Sequence, residues 1–318
     1  MNLDLLFENI SNPALLFFFP GLLAVRVKSD LSIPANSSKF ISLYLLFSIG
    51  FKGGQELSHS PFSMEIVYAL LFGIFMAVII PIYSFFLLRK RVGASNAGAI
   101  AAAYGSVSAV TFVTAVSFLD VEQLSYDGHM VAVMALMEAP SIIIGMTLIA
   151  VFGKEKSKFP FPVIIRHAVT NGSVYLILGS LVIGFVASDA QAQGIEPFTT
   201  DIFKGFLAVF LLDMGITSGK KLSSFLDNGW FAVVFAILIP LINGCIVAVF
   251  SQYLTESAGN RLLFAILAAS ASYIAVPAAM RLAAPKANPS LYVPMALAIT
   301  FPFNITIGMP VYLMIIEL

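Results

Sequence analysis

Apolar residues along this chain gather into long, nearly uncharged runs, not into the alternation of a half-buried strand or the single stripe of a surface helix. Ten runs can be drawn, at about 12–25, 40–51, 64–88, 97–119, 130–152, 172–187, 202–216, 230–254, 262–280 and 291–316. A helix needs about 20 apolar residues to cross a hydrocarbon layer of roughly 30 Å. The runs therefore predict an all-α polytopic membrane protein with ten transmembrane helices. No basic stretch precedes the first run, and Arg26 and Lys28 follow it where a signal peptide would have a small-residue cleavage site. It reads as the first span and not as a cleaved leader.

The bases test the count independently, because cytoplasmic loops collect Lys and Arg. With the N-terminus outside, the inner loops hold Arg26, Lys28, Lys39, Arg89, Lys90, Arg91, Lys154, Lys156, Lys158, Arg166, Lys220, Lys221, Arg281 and Lys286, leaving only Lys52, Lys204 and Arg261 outside. The connection with Asp120, Glu122 and Asp127 carries no base and falls outside. The pattern predicts both termini on the periplasmic side of a bacterial inner membrane.

The one long polar connection, Gly153 to Thr170, divides the runs into five and five. IGFKGGQEL at 49–57 is echoed by MGITSGKKL at 214–222, and IIIGM at 142–146 by ITIGM at 305–309. The offsets are nearly equal, and each pair falls in the second or the fifth span of its half. Five spans per copy is an odd number, so the copies must lie upside down to one another, as in inverted-repeat transporters. The expected division is a first repeat over 1–152, a cytoplasmic connection over 153–170 and a second repeat over 171–318.

The fourth run of each half is interrupted by small and hydroxyl residues. The first contains Tyr104-Gly105-Ser106-Val107-Ser108 and the second Ser270-Ala271-Ser272-Tyr273, with Pro277 just beyond. Small residues serve tight helix packing, but Gly and Pro here also suit an unwound segment, and loose backbone at membrane depth persists only around a cavity or inside protein. Two broken helices would direct N-terminal N–H groups inward, which makes an anion site. Neither break holds Arg or Lys, so a small monovalent oxyanion fits better than a phosphate or a polycarboxylate, which call for a basic partner. The oxygens of Ser108, Thr111, Ser272 and Thr300 suit a hard cation such as sodium. Pairing the ions is favourable, since moving one negative charge into a cell that is negative inside costs about 2.3 kcal/mol per 100 mV.

Intramembrane acids are costly and are functional candidates by default. Glu138, before Pro140, either lines the site or hydrogen-bonds the neighbouring break. Asp213 lies near a span end and has the weaker claim. Asn304 occupies the copy of the Glu138 region and could bond across the repeats. Pro20, Pro81, Pro240, Pro302 and Pro310 read as kinks, and Trp230, Tyr253 and Tyr292 as interfacial anchors.

Composition sharpens the class. Of 318 residues 59% are apolar and 11% charged, against roughly 45–50% and 25% in soluble domains. Bases and acids are equal at 17, so no net field recruits nucleic acid. Cys245 is the one cysteine, and His59, His129 and His167 lack any metal-ligand spacing. No clustered nucleophile and base exists, which argues against an enzyme.

These residues resemble the sodium-dependent bicarbonate permeases first recognised in cyanobacteria. The resemblance rests on GGQE at 53–56, AYGSVSAVTF at 103–112, MEAPS at 137–141 and AASASYIAVPAAMRLAAPKANPSLY at 268–292. It implies two inverted repeats of five spans whose broken fourth spans cross. Spans one, two, six and seven would form a gate or scaffold, and the other six a mobile core working by an elevator movement. It further implies a homotrimer in the lipid bilayer and a PII-like regulator docking on the cytoplasmic face. Bicarbonate would sit at Tyr104, Gly105, Ser106, Val107, Ser108, Ser270, Ala271, Ser272 and Tyr273. The Na+ coupling ion would lie near Ser108, Thr111, Glu138, Ser272, Thr300 and Asn304. The chain departs from the family pattern in having Tyr273 where an acid is expected and Phe301 where small residues precede Pro302. The expected function is a sodium-coupled symporter for bicarbonate or a similar small anion. A permease of the same fold for another organic anion, an anion channel and a non-transporting scaffold stand as alternatives.

Overall fold

A computed structural model describes residues 13–60, 62–153, 166, 170, 172–225 and 230–318, and every regular element among them is helical. After a turn at Pro13–Leu16 come α1 (Phe18–Arg26), α2 (Ala35–His59), α3 (Met64–Gly105), α4 (Ala109–Val121), α5 (His129–Phe152) and α6 (Gly172–Val186). Then follow α7 (Phe203–Phe225), α8 (Trp230–Phe250), α9 (Ala258–Ala269), α10 (Ala275–Ala283) and a composite α11 (Pro289–Ile316). Five stretches are long and apolar enough to cross a bilayer: Met64–Val121, His129–Phe152, Pro197–Leu222, Trp230–Tyr253 and Pro289–Ile316. The chain is a helical membrane protein. The central connection with Lys154, Lys156 and Lys158 lies outside the described residues, as does His167.

The long α3 is two helices joined at Gly93, whose φ of 79° and ψ of 161° lie where glycine goes without a Cβ penalty. Residues 64–92 thus end on the basic triplet Arg89, Lys90 and Arg91, and 94–105 begin a new direction. This is where the apolar runs at 64–88 and 97–119 part. α2 extends well past its apolar run, because its polar ends find partners: the Gln55 amide donates to the carbonyls of Gly184 and, at 3.0 Å, Ala187.

Glycines set the closest crossings. A Cβ on Gly54 of α2 would come within 2.1 Å of the Leu181 carbonyl in α6, and one on Gly184 within 2.1 Å of the Phe51 carbonyl. The α1–α7 crossing is built the same way, with Gly21 against Leu212 and Gly215 against Phe18. Small residues at such positions let backbones touch. Gly50 and Gly54 in the first echoed string, and Gly215 and Gly219 in the second, all face a neighbouring helix. The other echo differs: Gly145 packs on Gly98 and Ala102 of α3, whereas Gly308 meets Asn304 and Tyr312 of its own helix.

The interior is formed by the segments that lead into the two breaks. Ala97 through Gly105 and Leu262 through Ala269 are buried throughout. Trp230 and Tyr253, at the ends of the Trp230–Tyr253 stretch, are exposed, as boundary anchors would be. Tyr292 is not: it is 1% exposed, because α11 starts inside the protein and its first turn packs on α3 and α7.

Candidate functional site

The first break spans Ser106 to Ser108. α3 ends at Gly105, and Ser106 and Ser108 take extended conformations before α4 begins. Gly105 is not there for unusual torsions: a Cβ would fall 2.1 Å from Cγ of Pro81, so its bare face seats that ring. Ser108 caps α4, its hydroxyl accepting from the Thr111 N–H at 3.1 Å. The Ala109 and Val110 N–H groups, next in that first turn, have no intrahelical acceptor.

The second break spans Ser270 to Ile274, between α9 and α10. The Ser272 hydroxyl accepts from the Val276 N–H at 3.4 Å. Pro277 lies in the first turn of α10, where its missing N–H leaves no gap in the ladder. The carbonyls at the end of α9 are occupied. Leu267 accepts from the Ser270 hydroxyl, Ala268 from the Asn243 amide and Ala269 from the Asn304 amide, at 3.2, 3.2 and 2.8 Å.

The breaks meet. The Ser108 N–H donates to the Ser270 hydroxyl at 3.1 Å, and the Ser272 N–H donates to the Ala103 carbonyl at 2.8 Å. Beside this junction is a cavity of about 30 Å³ lined by Ser42, Leu46, Val107, Ser108, Ala109, Val110, Glu138, Ser173, Ser272, Tyr273, Ile274 and Ala275. That is room for about two waters, the scale of small ions. The first residues of both α4 and α10 are in its wall, so two helix N-termini face it. Its lining has five hydroxyls and one carboxylate but no Lys or Arg. Tyr273 turns its hydroxyl toward Ser108 without completing a hydrogen bond, and that oxygen is fully buried. Its ring rests edge-on against Phe301, which in turn meets Phe18 of α1, with centroids 6.1 and 5.9 Å apart.

Of the residues singled out in the sequence, Val107, Ser108, Ser272, Tyr273 and Glu138 come together in this wall. Gly105, Ser106, Ser270 and Ala271 are buried behind it and shape the breaks. Tyr104 and Thr300 join each other, 2.8 Å apart, and Thr300 donates to the Ala236 carbonyl at 2.7 Å. Thr300's one proton is thereby used, so Tyr104 is the donor to it. Asn304 bonds within the second half, to Ala269 and Tyr312, and not across the halves. Among the described residues, the buried hydroxyls of Ser106 and Thr111 have no hydrogen-bond partner. Asp213 lies mid-helix in α7, is 7% exposed and accepts from the Ser38 hydroxyl of α2. It is buried in the contact between α7 and α2.

Ser42 of α2 and Ser173 of α6 were not singled out. Each is an ordinary serine in an apolar run, and only the packing of α2 and α6 over the breaks brings them to the cavity. Asn243 was passed over likewise; a lone amide in an apolar helix was its only signal. Among the described residues, no three of His, Cys, Asp and Glu come together to hold a metal ion.

A sequence model of the Na+-dependent bicarbonate transporter superfamily matches residues 13–317, nearly the whole chain. No curated protein matches it.

Proposed function

The chain belongs to the Na+-dependent bicarbonate transporter superfamily, and on that premise we propose that it is a sodium-coupled symporter for bicarbonate or an anion of similar size. As a member of a transporter family it is not an enzyme. The observation that carries the proposal is the cavity at the crossed breaks. It faces two helix N-termini, has a size suited to a small ion and offers hydroxyl donors without a fixed positive charge.

The same wall supports the coupling. Glu138 places a carboxylate in a space otherwise suited to an anion, and two like charges there would repel. A sodium ion held by Glu138 and the hydroxyls of Ser108, Ser272 and Tyr273 would relieve that repulsion, with hard oxygens that suit it. Tyr273 in place of the family's acid moves the burden of charge onto Glu138. Thr300 and Asn304, whose hydrogen-bonding groups are already engaged, act in this reading as supports for the two breaks.

Ten spans in two inverted repeats are supported by the paired glycine crossings, α2 on α6 and α1 on α7, and by one break in each half. The helices α1, α2, α6 and α7 would form the scaffold and the remainder the moving part, with the cavity at their boundary, where Ser42 and Ser173 meet the breaks. An elevator movement of the one past the other would expose the cavity to alternate sides. A homotrimer, a PII-like partner and periplasmic termini belong to the same reading.

The test is uptake of radiolabelled bicarbonate into proteoliposomes with and without an inward sodium gradient, beside a Ser108→Ala, Ser272→Ala double variant. Sodium-dependent accumulation that the variant loses supports the proposal. Sodium-indifferent uptake removes the coupling, and no uptake by a folded preparation removes the substrate. In the last case Tyr273, packed on Phe301, has reshaped the pocket for another small anion, and acetate and nitrate would be tried next.

A further inference from the structure

A second cleft, of about 500 Å³, opens where 64–92 turns into 94–105, and it is lined by Arg89, Lys90, Gly93, Ala94, Ser95, Phe152 and Gly153. We propose that this cleft binds the phosphate headgroup of an anionic phospholipid. Arg89 is held for the purpose: its guanidinium carbon lies 4.9 Å from the ring centre of Phe86 and 5.0 Å from that of Phe152. The two rings, themselves 5.3 Å apart and nearly perpendicular, fix the long side chain before any ligand arrives, and a planar guanidinium so fixed is well made to receive a phosphate. Lys90 adds a second, exposed cation. Arg91 is turned away, its guanidinium over the Phe231 ring at 4.4 Å.

Gly93 makes the room. Its φ of 79° interrupts the helix, and among the described residues nothing lies within 4 Å of where a Cβ would be. A helix therefore starts at the floor of the cleft, with Ala94 and Ser95 as its first residues, and its N-terminal field adds to the two bases.

Apolar surface next to the cleft selects a lipid over a soluble phosphate. Phe86, Leu87, Val151 and Phe152 are all exposed, at 43%, 55%, 66% and 43%. They belong to the ends of two bilayer-length apolar stretches, so acyl chains would lie on them while the headgroup sits among the bases. Basic pockets between helices at the membrane boundary take headgroups in this manner.

The experiment measures retention of phosphatidylglycerol against phosphatidylcholine by the detergent-purified full chain, using native mass spectrometry. The variants are Arg89→Ala and Lys90→Gln, with Lys28→Gln as a basic control outside the cleft. The expected result is a preference for phosphatidylglycerol that falls about fivefold with each cleft base removed and stays unchanged in Lys28→Gln. Lys90 is exposed, so Lys90→Gln reads the site even if Arg89→Ala does not fold. An equal loss in Lys28→Gln would make the attraction a general surface effect and overturn the proposal. Glycerol phosphate displacing the lipid at comparable concentration would overturn it in favour of a soluble anion.

Discussion

The backbone N–H of Ser108 reaches the hydroxyl of Ser270 at 3.1 Å, across 162 positions of sequence. Ser270 passes the contact on, donating to the Leu267 carbonyl at 3.2 Å. One side chain thus ties the start of one broken helix to the end of the other. Ser270→Ala leaves a buried N–H and a buried carbonyl without these partners, and should lower stability by about 1–3 kcal/mol. Thermal unfolding in detergent measures this, and a variant that melts with the parent would show that the tie is dispensable.

Tyr273→Phe should move stability and function in opposite directions. The hydroxyl is buried with no hydrogen bond completed, a cost of about 1–3 kcal/mol to the empty protein. Removing it should leave the melting temperature equal or higher, while the KM for the transported anion rises because a donor to it is gone. A KM unchanged in the variant would take Tyr273 out of the binding wall.

Glu138→Gln keeps the shape of the cavity wall and removes its only carboxylate. If that charge holds the coupling ion, the half-saturating sodium concentration should rise by roughly tenfold, as loss of an interaction worth about 1.5 kcal/mol to a charged group would give. Uptake measured across a sodium series decides it; an unaltered sodium curve would place the ion elsewhere.

Two glycines of α6 should answer to alanine with opposite signs. At Gly184 the new methyl would meet the Phe51 carbonyl at 2.1 Å, whereas at Gly179 nothing among the described residues lies within 4 Å. Gly184→Ala should force α2 and α6 apart and cost several kcal/mol, of the order of a strained core substitution. Gly179→Ala should stabilise by about 0.5–1 kcal/mol through helix propensity alone. Melting temperatures of the two variants, side by side, give the comparison.

Much of the site was legible because chemistry that is rare inside a membrane stands out in a linear string. Serines grouped with glycine in one apolar run and with alanine and a nearby proline in another marked the two breaks, and Glu138 was conspicuous as a carboxylate within a span. Thr300 was legible only as an oxygen. Its bond to Ala236 and its place under Tyr104 depend on how α11 lies against α8 and α3, which no local pattern encodes. Tyr292 misled for the opposite reason: an aromatic near the end of an apolar run looks the same whether it meets headgroups or, as here, the protein interior.

The sequence by itself determined the helical, membrane-borne class, the two interruptions and the glycines that permit close crossings, because each follows from local hydropathy, backbone freedom or side-chain size. Tertiary structure alone decided that the interruptions touch, that Ser42 and Ser173 complete the wall, and that Asn243 and Asn304 take the carbonyls at the end of α9. Those outcomes rest on hydrogen bonds and contacts between helices far apart in the chain, and their partners are chosen by packing.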